Sequence, residues 1–146
     1  MHLFWGSFIL SFLGSIGSAV LTERFLDERV ALIGSFVGLQ KSMNTGVAFG
    51  LELGLAEPIL IAVAAVAVAV MALRTARSAE SQVGFGLLLG GGLANIVDRL
   101  HNGTVTDLFQ IGRFPIFNVA DSCITVGVLL LFAELIFQKF RARKRC

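Results

Sequence analysis

Four long apolar runs, residues 3–21, 58–73, 83–100 and 119–137, decide what this chain can become. Each approaches the ~20 residues that a helix needs to cross the hydrocarbon core of a bilayer. The Val-Ala alternation in the second run imitates a strand, but a run that long without a turn signal exceeds a globular strand. Composition agrees. The 146-residue chain is 55% hydrophobic and 15% charged, where a soluble domain carries about a quarter charged residues. Mean hydropathy is +0.82, and sixteen glycines suit membrane helices, which use Gly more than soluble ones do. The sequence therefore predicts an all-α membrane protein. One integral membrane domain fills residues 1–146, with spans at 3–21, 53–73, 83–100 and 119–137. The first run reads as a retained span and not a signal peptide, because only His2 precedes it, with no Lys or Arg.

Between the first two spans lies a polar interlude, residues 22–57. It opens on Glu23, Arg24, Asp27, Glu28 and Arg29, which read as a solvated helix end. Short β-compatible pieces follow, Val30-Ala31-Leu32-Ile33 and Phe36-Val37, and then Asn44 to Gly50 sets a turn former and two glycines around Phe49. The expectation is a small extracytoplasmic β-rich subdomain on the membrane surface between helices one and two. Residues 104–117, between the third and fourth spans, read as a loop. An even number of spans puts both termini on one side, with Arg74, Arg77 and the basic tail Lys139, Arg141, Arg143, Lys144 and Arg145. The positive-inside rule makes that side cytoplasmic.

Several chemistries drop out. A net charge of +2, with bases not interleaved with aromatics, argues against nucleic acid. Cys123 and Cys146 make neither a disulfide framework nor a metal-ligand spacing, and His2 and His101 stand far apart. The expectation is no metal and no cofactor. What remains is carboxylates. Asp98, Asp107 and Asp121 lie inside or beside apolar runs, where an aspartate at the centre of a span costs roughly 2.5–3.5 kcal/mol on insertion scales. The device Asn-x-x-Asp occurs twice, at Asn95/Asp98 and Asn118/Asp121, and residues three apart share a helix face. Two close carboxylates cannot both ionise comfortably. The ionised one takes a proton from water while the neutral one hydrogen-bonds a carbonyl oxygen, so such a dyad hydrolyses a peptide bond. Depth in the helices alone pairs Asp98 with Asp121. A proton relay through the same two residues, in a small transporter, is a weaker reading, because the carboxylates gather at one face.

Taken together, Asn44-Thr45-Gly46-Val47-Ala48-Phe49-Gly50, the run from Gly90 ending Asn95-x-x-Asp98-Arg99, Val105-x-Asp107 and Phe117-Asn118-Val119-Ala120-Asp121-Ser122 resemble, in order, the motifs of signal peptidase II. That family comprises the bacterial lipoprotein signal peptidases, four-helix aspartyl proteases of the inner membrane. The resemblance implies cleavage of diacylglyceryl-modified prolipoproteins just before the lipid-modified cysteine, contact with membrane lipid, and inhibition by globomycin. It implies Asp107 and Asp121 as the catalytic pair, at the outer membrane face. It sets Asn44, Asn95, Arg99 and Asn118 along the substrate groove and gives Asp98 a supporting place in a polar network. One motif departs. The family's aspartate past the first span, with a lysine four residues on, is replaced here by Thr22 and Leu26. That departure suits a catalytically silent membrane adaptor on the same scaffold, whereas the aspartate motifs suit the enzyme. It also turns attention to Arg24 or Arg29 as the missing cation.

Overall fold

The structure, a computed structural model, describes residues 1–46 and 56–143, with backbone alone for 56–59 and 141–143. Val47 to Gly50 of the glycine-rich motif, the lead into the second span near Leu53, and Lys144 and Arg145 lie outside the described residues.

Helix α1 (His2–Phe25) leads into strands β1 (Val30–Ile33) and β2 (Val37–Asn44). Helices α2 (Ala56–Thr75) and α3 (Ala79–Asn102) follow, then strand β3 (Val105–Ile111) and helix α4 (Val119–Arg143). Among the described residues, α1, α3 and α4 are long and apolar enough to cross a membrane. The helices overrun the apolar stretches by several residues, and α3 is capped at both ends. Ser78 opens α3 with a reciprocal box, its Oγ accepting from Ser81 N at 2.9 Å while Ser81 Oγ accepts from Ser78 N at 3.1 Å. Gly103 closes α3 at φ +74°, a left-handed conformation that glycine adopts without penalty.

Helix packing is inside-out relative to a soluble protein. The buried face of α1 carries Ser11, Ser15 and Thr22, while Leu10 is 73% exposed and Leu13 is exposed beside it. Such a helix suits lipid outside and polar contacts inside. Gly86 and Gly90, one turn apart in α3, make the close contact with α1. A Cβ on Gly86 would meet Phe4 O at 2.5 Å, and one on Gly90 would meet Phe8 O at 2.5 Å. The opposite side of α3 packs as closely on α4, where a Cβ on Gly127 would lie 2.6 Å from Gly84 O.

The sheet corrects the sequence reading in one respect. It has three antiparallel strands in the order β1-β2-β3, and its third strand comes from between α3 and α4, the stretch expected to be a loop. So the β structure is not confined to the segment between α1 and α2. Val105–Ile111 mixes Thr106, Asp107 and Gln110 with apolar residues and gives no clean local alternation. Pairing with β2 makes it a strand, with Ser42 opposite Asp107 and Asn44 opposite Val105.

Candidate active site

Asp121 belongs to the cap of α4. Asn118 Oδ1 accepts from Asp121 N at 2.8 Å, and Asp121 Oδ2 accepts from Asn118 N at 3.3 Å, the same reciprocal box that opens α3. The Asn118-x-x-Asp121 spacing is thus a helix start, with Asp121 in the first turn of α4. Asn95, from α3, donates its Nδ2 to Asp121 Oδ1 at 2.9 Å.

Asp107 arrives from the sheet. Residues two apart on neighbouring strands are diagonal neighbours on one face, and Asn44 Nδ2 reaches Asp107 Oδ2 at 3.1 Å. Asn44 is oriented for this because its Oδ1 is taken by Gly46 N at 3.0 Å. On the other oxygen, Asn118 Nδ2 donates to Asp107 Oδ1 at 2.9 Å, and it also lies 3.2 Å from Asn95 Oδ1. Asn118 therefore bonds both aspartates, Asp107 through its side chain and Asp121 through its side chain and its backbone N–H. Asp107 is only 2% exposed. Burial pushes its carboxyl up from the usual 3.8 to about 6, and the negative charges of Asp121 and Asp98 add to the rise. The Asn44 and Asn118 donors pull the other way by favouring the ionised form.

Asp98 stands apart from this pair. Its Oδ2 accepts from Thr106 N at 2.7 Å and its Oδ1 from Asn102 Nδ2 at 2.8 Å. Glu23 completes the cluster, accepting from Thr106 Oγ1 at 2.8 Å and from Asn102 Nδ2. Two carboxylates thus clamp Thr106, the residue before Asp107, and set where β3 begins. Glu23 is therefore no solvated helix end. Its role was invisible in sequence because its partners lie about eighty positions away.

Beside the pair runs a groove of about 610 Å³. Asn44, Asn95, Arg99 and Asp121 line it, with Phe114 and Phe117 among its apolar walls. Asn118 lies behind the wall, between the aspartates. Arg99 donates to Gly46 O at 2.7 Å and holds the Asn44 turn over the groove. Arg24 and Arg29, the bases next to the first span, both have partners within the chain. Arg29 braces the β1–β2 turn through Gln110 Oε1 at 2.9 Å and Ser35 O at 3.2 Å, while Arg24 lies over the Phe25 ring. A further base, Lys41 of β2, reaches the end of α1, 3.6 Å from Asp27 and 3.4 Å from Glu23 O. No group of three or more His, Cys, Asp or Glu among the described residues is arranged to hold a metal.

Residues 10–137 match the family model of signal peptidase (SPase) II. The lipoprotein signal peptidase of Symbiobacterium thermophilum is 41% identical over 126 residues, covering 80% of this chain and 82% of that protein. That of Geobacillus kaustophilus is 39% identical over 119 residues, covering 77% of each. Among solved structures, a bacterial membrane enzyme determined by the in meso method at 2.3 Å resolution superposes with a TM-score of 0.79. It is 26% identical, over 92% of this chain and 90% of that one. A second bacterial membrane enzyme, determined the same way at 1.9 Å, gives 0.74 at 28% identity, over 89% and 92%.

Proposed function

The chain belongs to the signal peptidase II family, and on that premise we propose how it removes the signal peptides of prolipoproteins: through Asp107 and Asp121. The observation that carries the assignment is Asn118, which bonds both aspartates and neither oxygen of Asp98. Asp121 faces the groove with N–H donors on both oxygens and acts as the base that takes a proton from the attacking water. Asp107, drier and with its carboxyl raised to about 6, holds the proton and gives it to the scissile carbonyl oxygen. Asn44 belongs both to the groove wall and to Asp107, and it is the side chain that parts to admit that carbonyl. Collapse of the tetrahedral intermediate returns a proton to the leaving amine, and no metal or covalent intermediate is required.

The groove's apolar walls suit a signal peptide arriving from the lipid, with the diacylglyceryl-modified cysteine just beyond the cut. The helices are read as four spans of a bacterial inner membrane, α2 included, with both termini cytoplasmic and the aspartates at the outer face. The adaptor reading rested on the missing aspartate and lysine at positions 22 and 26. Glu23 and Lys41 place an acid and a base at the same end of α1 from other positions, which weakens it. Purified protein in detergent, given a diacylglyceryl-modified prolipoprotein, should release the signal peptide and stop with globomycin. Intact substrate after prolonged incubation with folded protein would count for the adaptor.

A further inference from the structure

A small cavity of about 10 Å³, separate from the groove, is bounded by Ser15, Asn95, Asp98 and Asn118 among others. Ser15 is 5% exposed, and its Oγ has no hydrogen-bond partner among the described residues. Its neighbours on the same face of α1 are satisfied: Ser7 Oγ donates to Leu3 O at 2.8 Å and Ser11 Oγ to Leu87 O at 3.0 Å. Between helices in lipid, a buried hydroxyl of this kind needs a partner. The cavity supplies the room, because a space of roughly 10–15 Å³ holds a single water, provided two to four polar groups surround it.

The acceptors are present. Asn95 Oδ1 takes one bond from Asn118 Nδ2, Asn118 Oδ1 takes one from Asp121 N, and Asp98 Oδ2 takes one from Thr106 N. Each of these oxygens has a second lone pair. We infer that the cavity is a one-water site and that Ser15 positions the aspartate pair through it. The water accepts from Ser15 Oγ and donates to Asp98 and to one of the two asparagine oxygens. A donor on the oxygen end of Asn95 or Asn118 fixes which way that carboxamide faces. With the oxygen held at the water, the NH₂ end must face Asp121 or Asp107, as both do. Without it, a carboxamide can turn and set its oxygen against a carboxylate. Ser15 is then a positioning residue, and its role rests on the reading that Asp107 and Asp121 carry the reaction.

The test combines a structure and a kinetic comparison on the purified full chain. A crystal structure of the parent should show one ordered water within hydrogen-bond distance of Ser15 Oγ and of an oxygen of Asn95, Asp98 or Asn118. Ser15→Ala removes the hydroxyl, and Ser15→Val also fills the space. Both should lower kcat, by about tenfold for Ser15→Val, with KM and melting temperature near the parent's, because a misdirected donor damages the chemical step and not groove binding. A dry cavity in the parent, or parent-like kcat in both variants, overturns the inference. So does a kcat loss in Ser15→Ala matched by an equal loss of folded protein, which is a packing role. An inactive parent would sink the assigned reaction instead, leaving the crystal structure to decide the water.

Discussion

Two aspartates held by the same asparagine differ in what surrounds them, and each difference is testable. Asp107→Asn and Asp121→Asn keep size but cannot exchange a proton, so each should lower cleavage by at least the 10²–10⁴-fold that a positioned acid or base contributes. Melting curves should show both variants still folded. Asp98→Asn should act otherwise. It removes an acceptor from the Thr106 clamp, so activity and folded protein should fall in parallel. A folded, inactive Asp98→Asn beside an active Asp107→Asn would restore the pairing that helix depth suggests. The pH profile carries a second prediction. In the proposed mechanism the pair works with one proton, held by Asp107 up to about 6, so kcat/KM should fall as pH rises through about 6. Asn44 favours the ionised form of Asp107. Asn44→Ala removes that preference, so the falling limb should move to higher pH. A limb that moves down, or stays, would show that another group loses the proton.

At the scale of elements, close backbone approach makes the bundle, and glycines permit it only where they face a neighbour. Gly127 is such a site, because a Cβ there would lie 2.6 Å from Gly84 O and 3.1 Å from Leu88 N. Gly92, one residue beyond the Gly91 contact with α4, has nothing within 4 Å. Gly127→Ala should therefore separate α3 from α4 and cost about 1–3 kcal/mol, as overpacking does. Gly92→Ala should be neutral or gain up to about 1 kcal/mol from helix propensity. Equal effects on unfolding in detergent would mean that the packing argument is wrong. The small residues Gly86 and Gly90 stand one turn apart, a local pattern of the kind that a sequence displays. The motif asparagines and aspartates were legible for the same reason. Strand β3 was not, because Thr106 and Asp107 are held by β2, Asp98 and Glu23, partners that no window along the chain contains. Glu23 failed for that reason too: an acid at a helix end next to Arg24 reads as solvated until Asn102 is brought to it.

The whole molecule has two ends of unlike charge, and the proposed orientation rests on that difference. One end holds the sheet, the groove and the C-terminal turns of α1 and α3, where Glu23, Asp27, Glu28, Asp98, Asp107 and Asp121 outnumber Arg24, Arg29, Lys41, Arg99 and Arg113. The other end holds the α2–α3 link and the C-terminal turns of α4. Ser78 Oγ donates there to Glu134 Oε1, which ties the start of α3 to the end of α4 and places them on one side. Arg74, Arg77, Lys139, Arg141 and Arg143 gather at that end against Glu80 and Glu134. Lys and Arg in short loops hold their side of a bilayer in the cytoplasm, while acids contribute little, which is the argument for the proposed orientation with the link end in the cytoplasm. Between the ends, the outward surface is apolar, with Val66 63% and Leu129 61% exposed, as a lipid-facing bundle requires. The prediction is that a reporter fused after Arg143, or inserted near Ser78, is active in the form that matures in the cytoplasm. One inserted at Gly34, in the β1–β2 turn, should be active only in the form that matures outside. Neutralising Arg74 and Arg77 should weaken this orientation, raising the fraction of molecules whose Gly34 reporter stays inside. An outside signal from the C-terminus in most molecules would invert the protein. It would also put the aspartate pair on the cytoplasmic side, out of reach of a signal peptide cut at the outer face.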